Sequence, residues 1–225
     1  RDQPRSRGLG DVYKRQNFGL GITILKHNYD ETDFKAALQI AFEHDNTVLI
    51  EKFIPGREFR IFIINDEVVG ILHRVPANVT GDGVLNIGQL IDRKNEDPLR
   101  GKGYRTPLEK IRKGREEEMF LKQQGMDFNT VPKEGEVVYL RENSNISTGG
   151  DSIDFTDDID DSYKAIAVEA AKALNVKITG LDMMIQDIHA PATPDNYAII
   201  EMNFNPAIHI HCYPFKGKNR HLNHK

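Results

Sequence analysis

Two short apolar runs near the C-terminal end carry oxygen-bearing side chains where a sheet would bury them. Gly180-Leu181-Asp182-Met183-Met184-Ile185 sets one carboxylate inside a strand pattern, and Ile199-Ile200-Glu201-Met202-Asn203-Phe204-Asn205-Pro206 sets Glu201 and Asn203 two residues apart. The two-residue period of a strand puts Glu201 and Asn203 on one face. If the two strands pair as a hairpin, Asp182 faces them and three hard oxygen donors converge among apolar neighbours. Burying a carboxylate without a partner is costly. A divalent cation removes that cost, and an all-oxygen set suits Mg2+. The competing arrangement needs no metal: Glu201 and Asn203 then line the wet face of a half-buried sheet. Spacing alone leaves both open.

The rest of the chain alternates helical and strand periods. Phe34, Ala37, Leu38, Ala41 and Phe42 predict an amphipathic helix over 31–45. Residues 47–53 read as a strand ended by Ile54-Pro55-Gly56. Glu58–Ile64 and Val68–Val75 flank Asn65-Asp66-Glu67 and predict a hairpin. Residues 76–135, rich in Gly and Pro turns, read as an insertion with helices over Ile87–Lys94 and Gly114–Gln124. A strand at Val137–Arg141, a polar loop at Ser144–Gly150, a helix over 160–174 and strands at Val176–Gln186 and Tyr197–Phe204 complete the pattern. Helices interleaved with paired strands imply an α+β fold rather than a doubly wound parallel sheet. At 225 residues the chain suits one large domain or two small ones, and its 11 Phe and 7 Tyr argue against disorder.

Charge and cysteine content exclude several function classes. Thirty Lys and Arg against 34 Asp and Glu leave a net charge of -4, which offers no broad basic face to nucleic acid. No apolar run approaches the ~20 residues that span a bilayer, and the N-terminus lacks the apolar core of a secretory signal. The single Cys212 cannot form an internal disulfide, so a reducing compartment, the cytoplasm, is expected. Residues 1–16 are basic and aperiodic, and Asp11-Val12-Tyr13-Lys14-Arg15-Gln16 resembles the translation of a sequencing-library adapter. A native start near Asn17 is therefore expected, and the basic cluster before it is set aside. No helix-ending signal precedes Lys225, so a cut C-terminus is expected too.

Three further segments carry candidate chemistry. Glu51-Lys52-Phe53-Ile54 ends a strand at a turn; its backbone edge and the apolar Phe53 and Ile54 could take a purine, with Glu58 accepting from ribose hydroxyls. Asn17-Phe18-Gly19-Leu20-Gly21-Ile22 has glycines that let backbone amides approach an anion. It is neither a Walker loop nor a dinucleotide fingerprint, since it enters a strand and lacks their Lys and third Gly. Arg141-Glu142-Asn143-Ser144-Asn145-Ile146-Ser147-Thr148-Gly149-Gly150 offers an arginine, hydroxyls and two glycines as a cradle for carboxylate or phosphate. Each has an ordinary reading as turn or solvated loop.

In this order, NFGLGI, EKFIPGREFR, RVPANVTGDG, DPLRG, LRENSNISTGGDSID, GLDMMI and EMNFNPAIHIH resemble the ATP-grasp superfamily over residues 17–215, and within it the ATP-grasp module of bifunctional glutathione synthetases. Cyanophycin synthetase shares similar GDG and STGG runs. The resemblance implies an ATP-grasp fold, with a partial lid subdomain over 17–52 and a core subdomain over 53–225. It implies an ATP-dependent carboxylate–amine ligase that joins γ-glutamylcysteine to glycine through an acyl phosphate. Asp182, Glu201 and Asn203 would bind Mg2+, two ions bridged by Glu201, with Mn2+ as a substitute. Glu51, Lys52, Phe53 and Ile54 would hold adenine, Glu58 the ribose, and Asn17–Ile22 would close over the phosphates. Arg141, with Arg74 or Arg60, would stabilise the transferring phosphoryl group; Asn143, Ser147, Thr148 and Gly149 would meet the acid substrate. The family's lysine before the glycine-rich loop has no counterpart outside the suspected leader, and the N-terminal ligase half of such enzymes lies outside this sequence. The alternatives are a cyanophycin-type peptide ligase and a nucleotide-binding remnant without turnover. A homodimer is compatible with the family.

Other conspicuous residues have plain readings. His209-Ile210-His211-Cys212 resembles a zinc cluster, but read as a strand it puts Cys212 opposite the histidines and lacks finger spacing. A histidine turned toward substrate beside the carboxylates fits better. Glu116-Glu117-Glu118 reads as a solvated helix face, Met183-Met184 as core, and the sequons at Asn78 and Asn145 are unused in a cytoplasmic protein.

Overall fold

The computed structural model describes residues 30–43, 45–48, 50, 54–103 and 105–224. It divides into two units, 1–54 and 55–225. In the first, α1 spans Glu31–Phe42 and begins with a reciprocal cap. Asp30 accepts the backbone N–H groups of Thr32 (2.7 Å) and Asp33 (2.9 Å), satisfying donors that a helix start leaves orphaned. The helix stops short of residue 45, where Asp45 accepts the N–H of Thr47 in a turn that competes with helix. Of the strand expected at 47–53, residues 49 and 51–53 lie outside the described set, as do Asn17–Ile22 and the leader.

The second unit is built on a five-stranded sheet. Its strands are β1 (Arg57–Ile64), β2 (Glu67–Val75), β7 (Asp151–Asp154), β8 (Ile178–Ile185) and β9 (Tyr197–Asn203), in the order β7-β2-β1-β8-β9. Every pairing within it is antiparallel. The expected hairpin is β1–β2, closed by Asn65 (φ 47°) and Asp66 (φ 68°), left-handed residues that match the twist of the flanking strands. Glu67, expected in the turn, starts β2.

Alternation sends Phe59, Ile61, Ile63, Leu181, Met183 and Ile185 to one face, where α4 (Asp161–Ala173) covers them with Tyr163, Ala167 and Ala171. The Tyr163 hydroxyl donates to the carbonyl of Asp187 at 2.9 Å, so its polar tip is satisfied inside this core.

Between β2 and β7 the chain forms β3 (Asn78–Thr80), α2 (Ile87–Lys94), β4 (Arg100–Gly101), β5 (Leu108–Glu109), α3 (Arg115–Gln123) and β6 (Val137–Tyr139). These elements bury a core of their own, including Val79, Ile87, Ile91, Leu121 and Leu140. Glu117 corrects the sequence expectation: it is 1% exposed, because it caps the start of α3 at the Gly114 N–H (2.9 Å) and binds Arg141. Residues 209–212 are a second correction. They form a short helix, α5, which buries His211 and Cys212 together and leaves His209 outside, so the two histidines share no face.

Candidate active site

The sheet face opposite α4 carries the charges. β1 and β8 place Arg60 directly across from Asp182, and β8 and β9 place Asp182 across from Glu201 and Gly180 across from Asn203. Asp182, Glu201 and Asn203 therefore share the face that the sequence pattern predicts. They do so with the help of a bulge: the register jumps between Asp182–Glu201 and Met183–Ile199, leaving Ile200 as the extra residue. Such a bulge re-aims the side chains on either side of it. The Asn203 amide donates to Glu201 at 3.3 Å, which keeps the two together.

Asp182 is 1% exposed, and arginines compensate its charge. Arg60 grips it in a fork, Nε on Oδ1 and Nη2 on Oδ2 at 2.8 Å, and Arg74 Nη2 adds a contact to Oδ2 at 3.1 Å. This planar two-bond geometry is what makes arginine suited to carboxylates and phosphates. Gly180 makes the approach possible: a Cβ there would lie 3.0 Å from Arg60 Cδ and 2.8 Å from Pro206. Arg74 also binds Glu58, whose other oxygen accepts the Ser144 hydroxyl. Buried Arg74 Nε has no hydrogen-bond partner among the described residues. A buried donor left open beside paired charges can take a water or an anionic oxygen.

The sequence-predicted residues thus fall into groups. Arg60, Arg74, Glu58 and Asp182 form one connected cluster, with Glu201 and Asn203 on the same face. Arg141 belongs to another network, bound by Glu116 and by Glu117 at 2.6 Å. Asn143 and Thr148 are joined to each other at 2.9 Å, and Ser147 and Thr148 lie in a single 3-10 turn that Gly149 closes at φ 94°. Ile54 is half-buried in the first unit, while Glu51, Lys52 and Phe53 lie outside the described residues.

His211 does not face a substrate. It is fully buried over Gly70, its ring 5.3 Å from that of Phe62 and both nitrogens without a partner among the described residues. Burial, reinforced by the charge of Arg60, pushes its pKa down to about 3, so it is neutral at ordinary pH.

Sequence reasoning missed a buried ionic knot beside the 144–149 loop. Asp151 binds Arg100, Lys94 (2.6 Å) and Asn78 (3.1 Å), and Arg100 also donates to the carbonyls of Glu109 (2.9 Å) and Gly149 (3.0 Å). The available signal was the arginine of Asp97-Pro98-Leu99-Arg100-Gly101, a charged residue set between the turn formers Pro98 and Gly101.

The donor set fits a magnesium-like ion in kind: two carboxylates and an amide, all oxygen ligands. Among the described residues no group of three His, Cys, Asp or Glu side chains is placed to hold a metal ion. Both Asp182 oxygens are engaged by Arg60 and Arg74, so an ion there would have to displace those contacts.

The second unit is thus an α+β fold with the carboxylates and arginines gathered on one face of its antiparallel sheet. No family model matches the chain. It is 61% identical over 226 aligned positions to the glutathione biosynthesis bifunctional protein GshAB of Desulfotalea psychrophila, covering 100% of the chain and 29% of that protein. It is 58% identical over 212 positions to the protein of the same name from Clostridium perfringens, covering 94% of the chain and 27% of that protein. The crystal structure of a bifunctional glutathione synthetase from Pasteurella multocida matches it with a TM-score of 0.75 at 46% identity, over 92% of the chain and 29% of that structure. The chain therefore corresponds to one part of bifunctional glutathione synthetases, and spans less than a third of the length of the curated relatives it matches.

Proposed function

We propose that this chain supplies the glutathione synthetase chemistry of a bifunctional protein: ATP phosphorylates the carboxylate of γ-glutamylcysteine, and glycine attacks the acyl phosphate to form the amide. The observation that carries the reading is the shared face of Asp182, Glu201 and Asn203 with Arg60 and Arg74. Phosphoryl transfer to a carboxylate calls for positioning and charge neutralisation more than for a protein nucleophile. Asp182, Glu201 and Asn203 would hold Mg2+, one or two ions, which when bound supplies charge neutralisation on the phosphates. Arg74, with its spare buried Nε, and Arg60 would orient the transferring phosphoryl group, joined by Arg141 if Glu116 and Glu117 release it. Glu58 would take the ribose, Glu51–Ile54 the adenine, Asn17–Ile22 would cover the phosphates, and Asn143, Ser147, Thr148 and Gly149 the acid substrate. The rest of a longer polypeptide would carry the glutamate–cysteine ligase half, in the cytoplasm.

The test is phosphate release from Mg-ATP with γ-glutamylcysteine and glycine. Turnover is expected with all three present and not when either amino component is omitted. Glu201→Gln should lower turnover by ~10³-fold, about 4 kcal/mol of transition-state stabilisation. Unchanged turnover in that variant would refute the assignment.

A further inference from the structure

We propose that Ser144 is a positioning residue that couples the 141–150 loop to the arginine–carboxylate cluster, so that filling one favours filling the other. The inference rests on the ligase reading above and extends it to a residue that reading leaves without a role. Ser144 is nearly buried, at 9% exposure, in a loop whose other polar side chains are exposed or half-exposed. Its hydroxyl does not cap its own loop. It donates to Glu58 of β1, 86 residues away in sequence. Glu58 in turn holds Arg74, and Arg74 holds Asp182 at 3.1 Å. An unbroken chain of charge-assisted bonds thus runs from the loop to the buried carboxylate.

The loop is fastened at its far end as well, which gives any movement of it few places to go. Gly150 is packed so tightly that a Cβ would lie 2.8 Å from the carbonyl of Val75 and 3.1 Å from that of Ser144 itself. Val75 directly follows Arg74, so the Gly150 end of the loop lies against the end of β2 while Ser144 reaches Glu58 of β1. Arg100 clamps the Gly149 carbonyl at 3.0 Å. A ligand that orders residues 147–149 therefore orders Ser144, and through Glu58 it fixes the guanidinium of Arg74. Low local dielectric strengthens such a network and makes its weakest link decisive. Ser144 is that link, because it is the one neutral member and the one that crosses from loop to sheet.

The experiment is calorimetric titration of Mg-ADP into the full chain, with and without γ-glutamylcysteine. In the wild type the dipeptide should tighten Mg-ADP binding by about fivefold or more, a usual size for coupled sites. Ser144→Ala should bring that ratio close to one while Mg-ADP alone binds within about threefold of wild type, and Ser144→Thr, which keeps the hydroxyl, should restore it. Persistence of the ratio in Ser144→Ala overturns the inference, as does an equal weakening of both titrations, which is what simple loss of packing would produce. A wild type that binds Mg-ADP without any response to the dipeptide overturns this inference alone. A wild type that does not bind Mg-ADP overturns the ligase reading and the inference with it.

Discussion

Replacing Asp151 by alanine tests the buried ionic knot directly. The carboxylate is 4% exposed and neutralises two cations, Arg100, whose side chain is fully buried, and Lys94, at 16% exposure. Alanine leaves both charges in place with no anion between them. Breaking a buried pair by removing one partner costs about 3–5 kcal/mol, far more than the pair contributes relative to an apolar replacement. The lower end applies here. Arg100 keeps the carbonyls of Glu109 and Gly149, and Lys94 keeps the backbone and side-chain oxygens of Asn78 (2.9 and 3.1 Å) and the ring of Phe215 at 5.1 Å. The loss should thus be about 3 kcal/mol, a fall of about 1.5 M in the urea midpoint for a slope of about 2 kcal/mol/M. Burial already pulls the Lys94 pKa down against the opposing field of Asp151, so the variant should shed the Lys94 proton more readily and recover part of the loss as pH rises. Lys122→Ala is the control. Its i,i+4 partner Glu118 and Lys122 itself are 47% and 66% exposed, and the pair is worth no more than about 0.5 kcal/mol. An Asp151→Ala midpoint that moves no further than that of Lys122→Ala would refute the reasoning.

Three other outcomes are expected. Gly70→Ala would bring a Cβ to 2.7 Å from His211 Nδ1 in a closed core, costing about 1–3 kcal/mol in thermal or urea unfolding; adding His211→Ala should return part of that loss. Acid should destabilise the second unit below pH 6.5. Burial, then the charge of Arg57, lowers the His73 pKa to about 4, and burial, then Arg60, lowers that of His211 to about 3. The unfolded chain takes these protons first, so this stability is complete above about pH 6.5 and is lost as pH falls toward those values. Between pH 6 and 4.5, His211→Leu should show a slope of stability against pH shallower by up to about 1.4 kcal/mol per unit. Tyr163→Phe removes the donor to the Asp187 carbonyl and should cost about 1 kcal/mol, read as a fall in the unfolding midpoint with the slope unchanged.

What was legible in the sequence follows from which interactions are periodic. The β1–β2 hairpin, α2, α4 and the two strands holding Asp182 and Glu201 come from apolar residues repeating every two or three to four positions, a signal that local physics writes into neighbouring letters. The same period placed the three oxygen donors on one face. It did not show the Ile200 bulge, because one extra residue leaves no compositional trace. Nor did it show α5: in His209-Ile210-His211-Cys212 the alternation suits a strand, but the burial of His211 against Phe62 and Gly70 wins. Glu117 and Arg141 read separately as a solvated acid and as the arginine of an anion cradle, yet they bind each other across 24 residues.

The charge partners are the least legible part of the sequence. Arg60 and Asp182 stand 122 residues apart, Arg100 and Asp151 51 apart, and no motif announces either bond. The first pair becomes inevitable once the five-stranded sheet exists, because β1 and β8 set Arg60 directly across from Asp182. The α4-side residues of β1 and β8 are almost fully buried, which locks the register of those strands. A one-residue slip would turn Phe59 and Leu181 outward and bury Arg60 and Asp182 among aliphatic side chains. The apolar face therefore holds the charged face to its geometry, and the positions of the arginines relative to Asp182 are fixed by packing on the opposite side of the sheet. Cavity-forming substitutions such as Leu181→Ala should loosen the site through that route, lowering stability by about 2–5 kcal/mol and weakening Mg-ADP binding although Leu181 lies on the far face. Nucleotide affinity unchanged in a folded Leu181→Ala variant would show that the arginine–carboxylate cluster maintains its own geometry without help from the core.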